Sequence, residues 1–197
     1  KTGFAFLIVS LSFLASESLA QTSKASVFAG SGFSGWVDGK GEKTMFGSPT
    51  ALAVDGKGDL YVWDGVLRRI SPDATVVTVP AVGSVDFRAV FDLAASADGN
   101  LLLGERNSVS YFNTTSKYLS RFVNPGGGWA YQDGPAQQAY FNGGDAGLQL
   151  AVTKDDTVFV ADSANHRIRK IVGNMVSTFA GSGNGATIDG EGIFCSF

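Results

Sequence analysis

The chain has 197 residues, including 26 glycines and 15 phenylalanines, and only 17% of them are charged, against roughly 25% in ordinary soluble domains. Its formal net charge is −3, so it has no summed positive field to hold a phosphate backbone, and nucleic acid is excluded as a first expectation. With one cysteine and one histidine, the chain cannot be a disulfide-stapled miniprotein or build a zinc site from several imidazoles.

The N-terminal residues have the pattern of a secretory signal peptide. The apolar run from Gly3 to Ala15 has 13 residues, short of the roughly 20 that span a bilayer. Ser18 and Ala20 occupy the −3 and −1 positions of an A-x-A-like site, which predicts cleavage between Ala20 and Gln21. The alternative is an uncleaved anchor. We expect residues 1–20 to be a signal peptide, the protein to be secreted or at the cell surface, and no other membrane span in this chain.

A repeated motif follows, in which an Asp-Gly pair precedes a phenylalanine that lies eight residues after the aspartate. The pairs are Asp38 with Phe46, Asp133 with Phe141, and Asp189 with Phe197. The aspartates are 95 and 56 residues apart. Because the first interval is nearly twice the second, one unit without the motif lies between the first two.

Strand patterns locate that unit. An apolar stretch, a turn, and a second apolar stretch ending in an acidic residue occur at 52–64, 93–105 and 150–162, with offsets of 41 and 57. Each unit holds four strands separated by Gly, Asn and Asp turns, which is typical of antiparallel hairpins. In the third unit we predict strands at roughly 148–152, 157–161, 167–171 and 175–179.

One such sheet cannot bury both of its faces, whereas sheets stacked radially cover one another. Repeats with these periods are typical of solenoids, propellers and arrays, and no stretch beyond the leader has a helical period. We therefore predict an all-β fold at 21–197, a β-propeller of four-stranded antiparallel blades. Three blades lie roughly at 27–80, 81–125 and 126–181, and a fourth starts at 182–197, so we expect an incomplete ring and a fragment of a longer protein.

The segment VADSANHRIRKI, from Val160 to Ile171, resembles the NHL repeat in its Asn-His-Arg-Ile variant. The corresponding segments of the first two units, 64–70 and 105–112, depart from the motif and lack Asn-His. The resemblance implies a β-propeller. It also implies several functions, since NHL propellers act as protein-binding platforms, extracellular sensor or adhesion domains, RNA readers, and a lyase that completes peptide amidation. Fold alone does not select among them.

Loops between blades and turns between second and third strands lie on one side of a propeller, and loops on a rigid scaffold commonly carry binding. We therefore take eight residues as candidate binding residues. They are Phe33 and Trp36 in the loop at 30–49, Trp129 and Tyr131 in the loop at 126–145, and Asp162, Asn165, His166 and Arg167 in the third unit's turn. The alternative is that the aromatic rings pack between blades, Asp162 and Asn165 accept turn N–H groups, and Arg167 pairs with a carboxylate.

No pattern points to catalysis. The G-x-G-x-x-G match at 30–35 precedes no helix, so it is not a dinucleotide site. The Asp55–Asp59 turn lacks the further ligands of a calcium loop. The basic cluster at 167–170 is too small for an RNA-binding face. We predict no catalytic residue, no metal ligand and no cofactor.

Export of the protein would expose two further residues, Asn113 and Cys195, to covalent modification. Asn113 begins the sequon Asn-Thr-Thr, a candidate glycosylation site. Cys195 is unpaired, so in an oxidising compartment it is either a free thiol or bonded to a partner beyond Phe197.

These observations favour a secreted or cell-surface interaction scaffold without catalytic activity, whose partner is a protein or another extracellular ligand. Two alternatives stay open. One is a metal-dependent propeller enzyme, a lyase or hydrolase with calcium or zinc in its central channel and ligands from further blades. The other is the ectodomain of a single-pass receptor or sensor kinase.

Overall fold

The computed structural model describes residues 25–83, 90–124, 126 and 128–197. These residues form three five-stranded sheets and four short 3-10 turns. The predicted signal peptide and its cleavage position between Ala20 and Gln21 lie outside the described residues. Within the described ranges, no helix has the length and apolar character to cross a membrane.

The strands of each sheet come from one continuous stretch of chain. The first sheet contains β1 (Gly39–Lys40), β2 (Ala51–Val54), β3 (Leu60–Trp63), β4 (Leu67–Ile70) and β5 (Thr75–Thr78). The second contains β6 (Val82–Gly83), β7 (Asp92–Ala95), β8 (Leu101–Gly104), β9 (Val109–Phe112) and β10 (Tyr118–Val123). The third contains β11 (Gly134–Pro135), β12 (Gln149–Val152), β13 (Val158–Asp162), β14 (Arg167–Val172) and β15 (Met175–Ala180).

Each sheet is an antiparallel meander of four strands with a short fifth strand at its outer edge. The order is β1-β5-β4-β3-β2 in the first sheet, and the other two repeat it. The predicted four-stranded units are confirmed, and the observed bounds in the third sheet agree with prediction to within one residue. The outer strands were not predicted, because two residues carry no readable alternation. They pair antiparallel with the neighbouring strand in the first and third sheets and parallel in the second.

The hairpins form because short polar side chains bond the turn backbone. In the first hairpin of the first sheet, Asp55 accepts N–H bonds from Lys57 and Asp59 at 2.9 and 3.0 Å. Gly58 has a φ of +84°, a conformation that a residue with a Cβ rarely adopts. The turn is stabilised by contacts within its own five residues, and the sequence of this segment is therefore sufficient to predict it.

The sheets stand side by side, and their facing apolar surfaces form the core. Tyr61, Trp63 and Phe112 belong to the cluster between the first and second sheets. A second cluster fills the space between the second and third. The innermost strands β2, β7 and β12 are neighbours, and the carboxylate of Asp92 on β7 accepts the Leu150 N–H of β12 at 2.6 Å. This is the predicted radial arrangement of propeller blades, as an arc that does not close into a ring.

Candidate binding surface

Chain direction assigns every loop to one of two sides. Since strands alternate in an antiparallel sheet, the turns after β3, β8 and β13 lie on the same side as the loops that lead into each sheet. We call this side the upper face. The lead-in loops of the first and third sheets are 30–49 and 126–145, and residues 181–197 carry the same motif after β15. The first and third hairpins of each sheet lie on the opposite, lower face. The eight candidate residues all lie on elements of the upper face.

The Asp-Gly and phenylalanine motif of the lead-in loop holds a buried arginine. In the third sheet, Arg169 on β14 is fully buried. Its Nε donates to Asp133 at 3.1 Å, its Nη1 donates to Asp162 at 2.7 Å, and its guanidinium lies 5.0 Å from the centre of the Phe141 ring. The carbonyls of Gln132 and Tyr140 accept two further hydrogens at 2.8 and 3.1 Å, and Asp133 accepts another from Nη2. We call this arrangement an arginine clamp, because it ties the loop to the sheet.

The first sheet contains the same clamp. Arg68 on β4 is also fully buried, and it pairs with Asp38 at 2.9 Å and Asp64 at 3.5 Å. The Phe46 ring centre lies 5.2 Å from its guanidinium. The carboxylate of Asp64 accepts the N–H groups of two consecutive loop residues, at 2.9 and 2.5 Å. The repeated motif is therefore the loop's half of a clamp whose arginine comes from the third meander strand.

Among the described residues the second sheet has no counterpart of the clamp, and its sequence shows why. Ser110 on β9 occupies the position of Arg68 and Arg169. Glu105 replaces the buried aspartate and accepts bonds from Ser110 and from Arg121, the latter at 3.4 Å and from the next strand. With no arginine on β9, a loop aspartate would have no partner. The missing motif of the second unit is thus explained by the exchange of the clamp arginine for Ser110, together with that of the buried aspartate for Glu105.

The pKa values of the two clamp carboxylates, Asp162 and Asp133, are shifted in opposite directions. Burial raises the pKa of the Asp162 carboxyl above its usual value, although bonds from the Asn142 N–H, Asn165 and Arg169 oppose that effect. Asp133 is partly exposed, and while burial alone would raise its pKa, bonds from Arg169 and Thr178 hold it below the usual value. Asp162 therefore lies inside the scaffold, where it positions the turn, and does not face solvent.

Trp36 and Tyr131 occupy equivalent places in the first and third lead-in loops. Their following residues pair with Met45 and Tyr140 in matching bridges. The Trp36 indole donates its Nε1–H to the Asp64 carbonyl at 2.7 Å, yet 62% of the residue is exposed. Its ring lies over Gly47, where a Cβ would come within 2.8 Å of the ring. Trp36 is therefore fixed at one edge and open on a face.

Tyr131 is held in a comparable way. Its hydroxyl lies 3.0 Å from the Thr178 hydroxyl, and the Arg167 guanidinium stacks on its ring at 3.8 Å. Arg167 donates to the carbonyls of Asn165 and Ser182 at 2.9 and 3.0 Å, and it lies against Gly183. Within the described residues Arg167 forms no ion pair, and the expected pairing with a carboxylate is not seen there. Arg169, two residues further on, has that role.

The remaining candidates divide between scaffold and surface. Asn165 donates to the Ala130 carbonyl at 2.9 Å and to Asp162, so it bridges loop and turn as a donor and not as the expected acceptor. His166 closes the turn with a φ of +51°. Phe33 and Trp129 are 72% and 54% exposed. The structure groups the aromatic residues in two pairs, one on the first sheet's loop and one on the third's, and does not bring the pairs together.

Cys195 is buried, and its thiol donates to the Gly192 carbonyl at 3.0 Å. Thr44 has the equivalent place in the first lead-in loop and bonds the Gly41 carbonyl at 2.8 Å. The thiol thus lies at an interior position, and its predicted partner beyond Phe197 stays a prediction. Asn113 begins the third hairpin of the second sheet, and its glycosylation also stays a prediction. Across the described ranges, no three His, Cys, Asp or Glu side chains form a metal-binding group.

The comparisons with known proteins agree with this architecture. Residues 149–171, from β12 to β14, match the family model of the NHL repeat. No curated protein matches the sequence. Among solved structures, an auxiliary nutrient binding protein from Bacteroides ovatus ATCC 8483 is 15% identical with a TM-score of 0.63, over 78% of this chain and 42% of that one. Its counterpart from Bacteroides thetaiotaomicron VPI-5482 is 15% identical with a TM-score of 0.61, over 78% and 41%.

A third structure, a protein of unknown function from Bacteroides thetaiotaomicron VPI-5482, is 22% identical with a TM-score of 0.63, over 76% of this chain and 40% of that one. At these identities the likeness establishes the fold, a β-propeller, and this chain spans about two fifths of the length of those structures. Within its third blade, the segment 149–171 matches the NHL repeat. The predicted resemblance to NHL-repeat propellers is therefore confirmed.

Proposed function

We propose that this chain belongs to a secreted or cell-surface propeller that binds an extracellular ligand on its upper face and does not change it chemically. The observation that supports this most strongly is the state of Trp36, which is bonded at its Nε1 and yet 62% exposed. A large apolar ring held in one orientation contributes contact area at little cost in conformational entropy. Tryptophan and tyrosine are also the residue types enriched where binding energy concentrates.

The arginine clamps prepare the loops for binding. Each clamp ties its lead-in loop to the sheet through buried charged groups, so the loops keep their shape without a ligand. A binding surface that is already ordered loses less entropy when a ligand arrives. The two aromatic pairs lie on loops of the first and third blades, and this separation suits a ligand long enough to cross the blade between them.

The location and the class of ligand rest on two further supports. The signal pattern at 1–20 predicts export. Two of the similar solved structures are described as auxiliary nutrient binding proteins. We therefore propose a nutrient or a protein encountered outside the cell as the ligand.

An array of soluble saccharides and peptides, probed with the full chain, tests this function. Trp36→Ala should lower the affinity for any bound array member at least tenfold, since aromatic contacts at hot spots exceed about 2 kcal/mol. Tyr118→Ala is the matched control, because Tyr118 is 52% exposed on β10, the fourth meander strand of the second sheet. Equal losses in both variants, or no binding by the unaltered chain, would contradict the proposal. Recovery of a chemically altered ligand by mass spectrometry would contradict its non-catalytic part.

A further inference from the structure

A cleft of about 530 Å³ lies between the second and third blades and opens on the lower face. The apolar side chains of Leu102, Phe122 and Ile171 line it. Its mouth is formed by hairpin turns of both blades, including Asp98 and Asp156. The cleft therefore opens among lower-face hairpin turns, although Gln137 of the third blade's lead-in loop also lines its wall, and it is independent of the function proposed above.

The cleft is open because smaller side chains fill this interface than fill the preceding one. Between the first and second blades, the equivalent positions hold Tyr61 and Phe112, both buried in the core. Between the second and third blades they hold Leu102 and Ile171. Protein interiors are normally packed without large voids, so two adjacent reductions in volume leave space that a ligand can occupy.

The charges around the mouth are mostly negative. The carboxylate of Asp98 accepts bonds from Ser96 and Asn100, and these hold its pKa below the usual value. Asp156 accepts the Ala97 N–H at 2.7 Å across the interface, so the two turns are joined at the mouth. Tyr111 lines the cleft beside them, and its pKa is raised by burial and by the charges of Asp98 and Asp156.

Two positive groups oppose these carboxylates. The Arg121 guanidinium is engaged with Glu105 at 3.4 Å, while its buried Nε has no hydrogen-bond partner among the described residues. Arg121 lines the cleft, although its Nε is itself buried from solvent. Lys170, on β14, places a positive charge near Asp155, which is the third acidic residue of the mouth. The carboxylates of Asp98 and Asp156 remain as the negative pair nearest to Tyr111.

We propose that this inter-blade cleft binds a small amphipathic amine. The apolar body of the ligand lies against Leu102, Phe122 and Ile171, and its ammonium group lies at the mouth between Asp98 and Asp156. An apolar wall ending in carboxylates complements this combination of groups and opposes an anionic ligand of the same shape.

Three phenols of nearly equal size test the charge requirement on the full chain. Tyramine carries an ammonium group, 4-(2-hydroxyethyl)phenol is its neutral analogue, and 3-(4-hydroxyphenyl)propanoate is anionic. Titrations followed by ligand-observed NMR should rank tyramine first, about fivefold tighter than the neutral phenol for each exposed carboxylate engaged. Equal affinities for the three probes, or tighter binding of the anion, would overturn the proposal. So would the absence of binding by all three at millimolar concentration.

Variants separate a ligand site from a simple packing gap. Asp98→Asn with Asp156→Asn should remove the preference for tyramine while the neutral phenol still binds, because only the charge is changed. Leu102→Tyr copies the first blade and should abolish binding of every probe, with circular dichroism confirming the fold. Ile171→Phe serves the same purpose if that variant fails to fold. Unchanged tyramine binding in a folded, filled variant would place the probe elsewhere and refute the site.

Discussion

Replacing Arg169 with methionine should destabilise the protein strongly, because it removes the positive half of a buried clamp. Arg169 is fully buried and donates hydrogen bonds to Asp133, Asp162 and the carbonyls of Gln132 and Tyr140. Methionine keeps much of the side-chain volume but leaves the buried Asp162 carboxylate without its countercharge. Breaking a buried ion pair from one side costs about 3–5 kcal/mol.

Urea denaturation of the full chain, followed by tryptophan fluorescence, measures the change in the free energy of unfolding. Arg167→Met is the matched control, since Arg167 contacts carbonyls and the Tyr131 ring and forms no ion pair within the described ranges. We expect it to cost about 1 kcal/mol or less. Adding Asp162→Asn to Arg169→Met should recover part of the loss, because the uncompensated charge is gone. A cost below about 1 kcal/mol for Arg169→Met alone would refute the clamp.

Three other outcomes follow from the structure. Because the pKa of Asp133 is lowered in the folded state, its stabilising effect is complete above the usual value of 3.8 and is lost as the pH falls through the folded value, so Asp133→Asn should flatten the acid side of the stability profile measured by thermal melts. An unchanged slope would count against the clamp's loop carboxylate. Gly47→Ala should displace the Trp36 ring and shift its fluorescence, whereas Gly56→Ala, at an open position, should not; equal spectra would contradict the stacking. Cys195→Thr should change stability by no more than about 0.5 kcal/mol, and rapid labelling of the native thiol would show that Cys195 is not buried.

Features that depend on local chemistry were predictable from the sequence. The hairpin at Asp55 needs only a carboxylate that bonds its own turn and a glycine at positive φ, so its pattern is visible in five residues. The blades followed from the repetition of such hairpins. The Asp-Gly and phenylalanine motif was also visible as a repeat, although its role was not.

Features that depend on distant partners were not predictable. Arg68 and Arg169 meet their loop aspartates across separations of 30 and 36 residues, and the sequence shows only basic residues on strands. A signal in the sequence could have identified these arginines. The two units with the complete motif have an arginine at this strand position, and the unit without the motif has a serine there. The cleft beside Leu102 depends on volumes compared across two interfaces, which requires the strand register.

Buried carboxylates hold the upper-face loops in one conformation before any ligand binds. Native-state hydrogen exchange measures this at the Asn142 amide, which lies in a loop but donates to Asp162 at 2.7 Å. We expect that amide to exchange as slowly as amides in the central strands of the third blade, and to lose its protection in the Arg169→Met variant. Exchange of the Asn142 amide at the rate of an unstructured peptide in the unaltered chain would show that the loop is not held by Asp162.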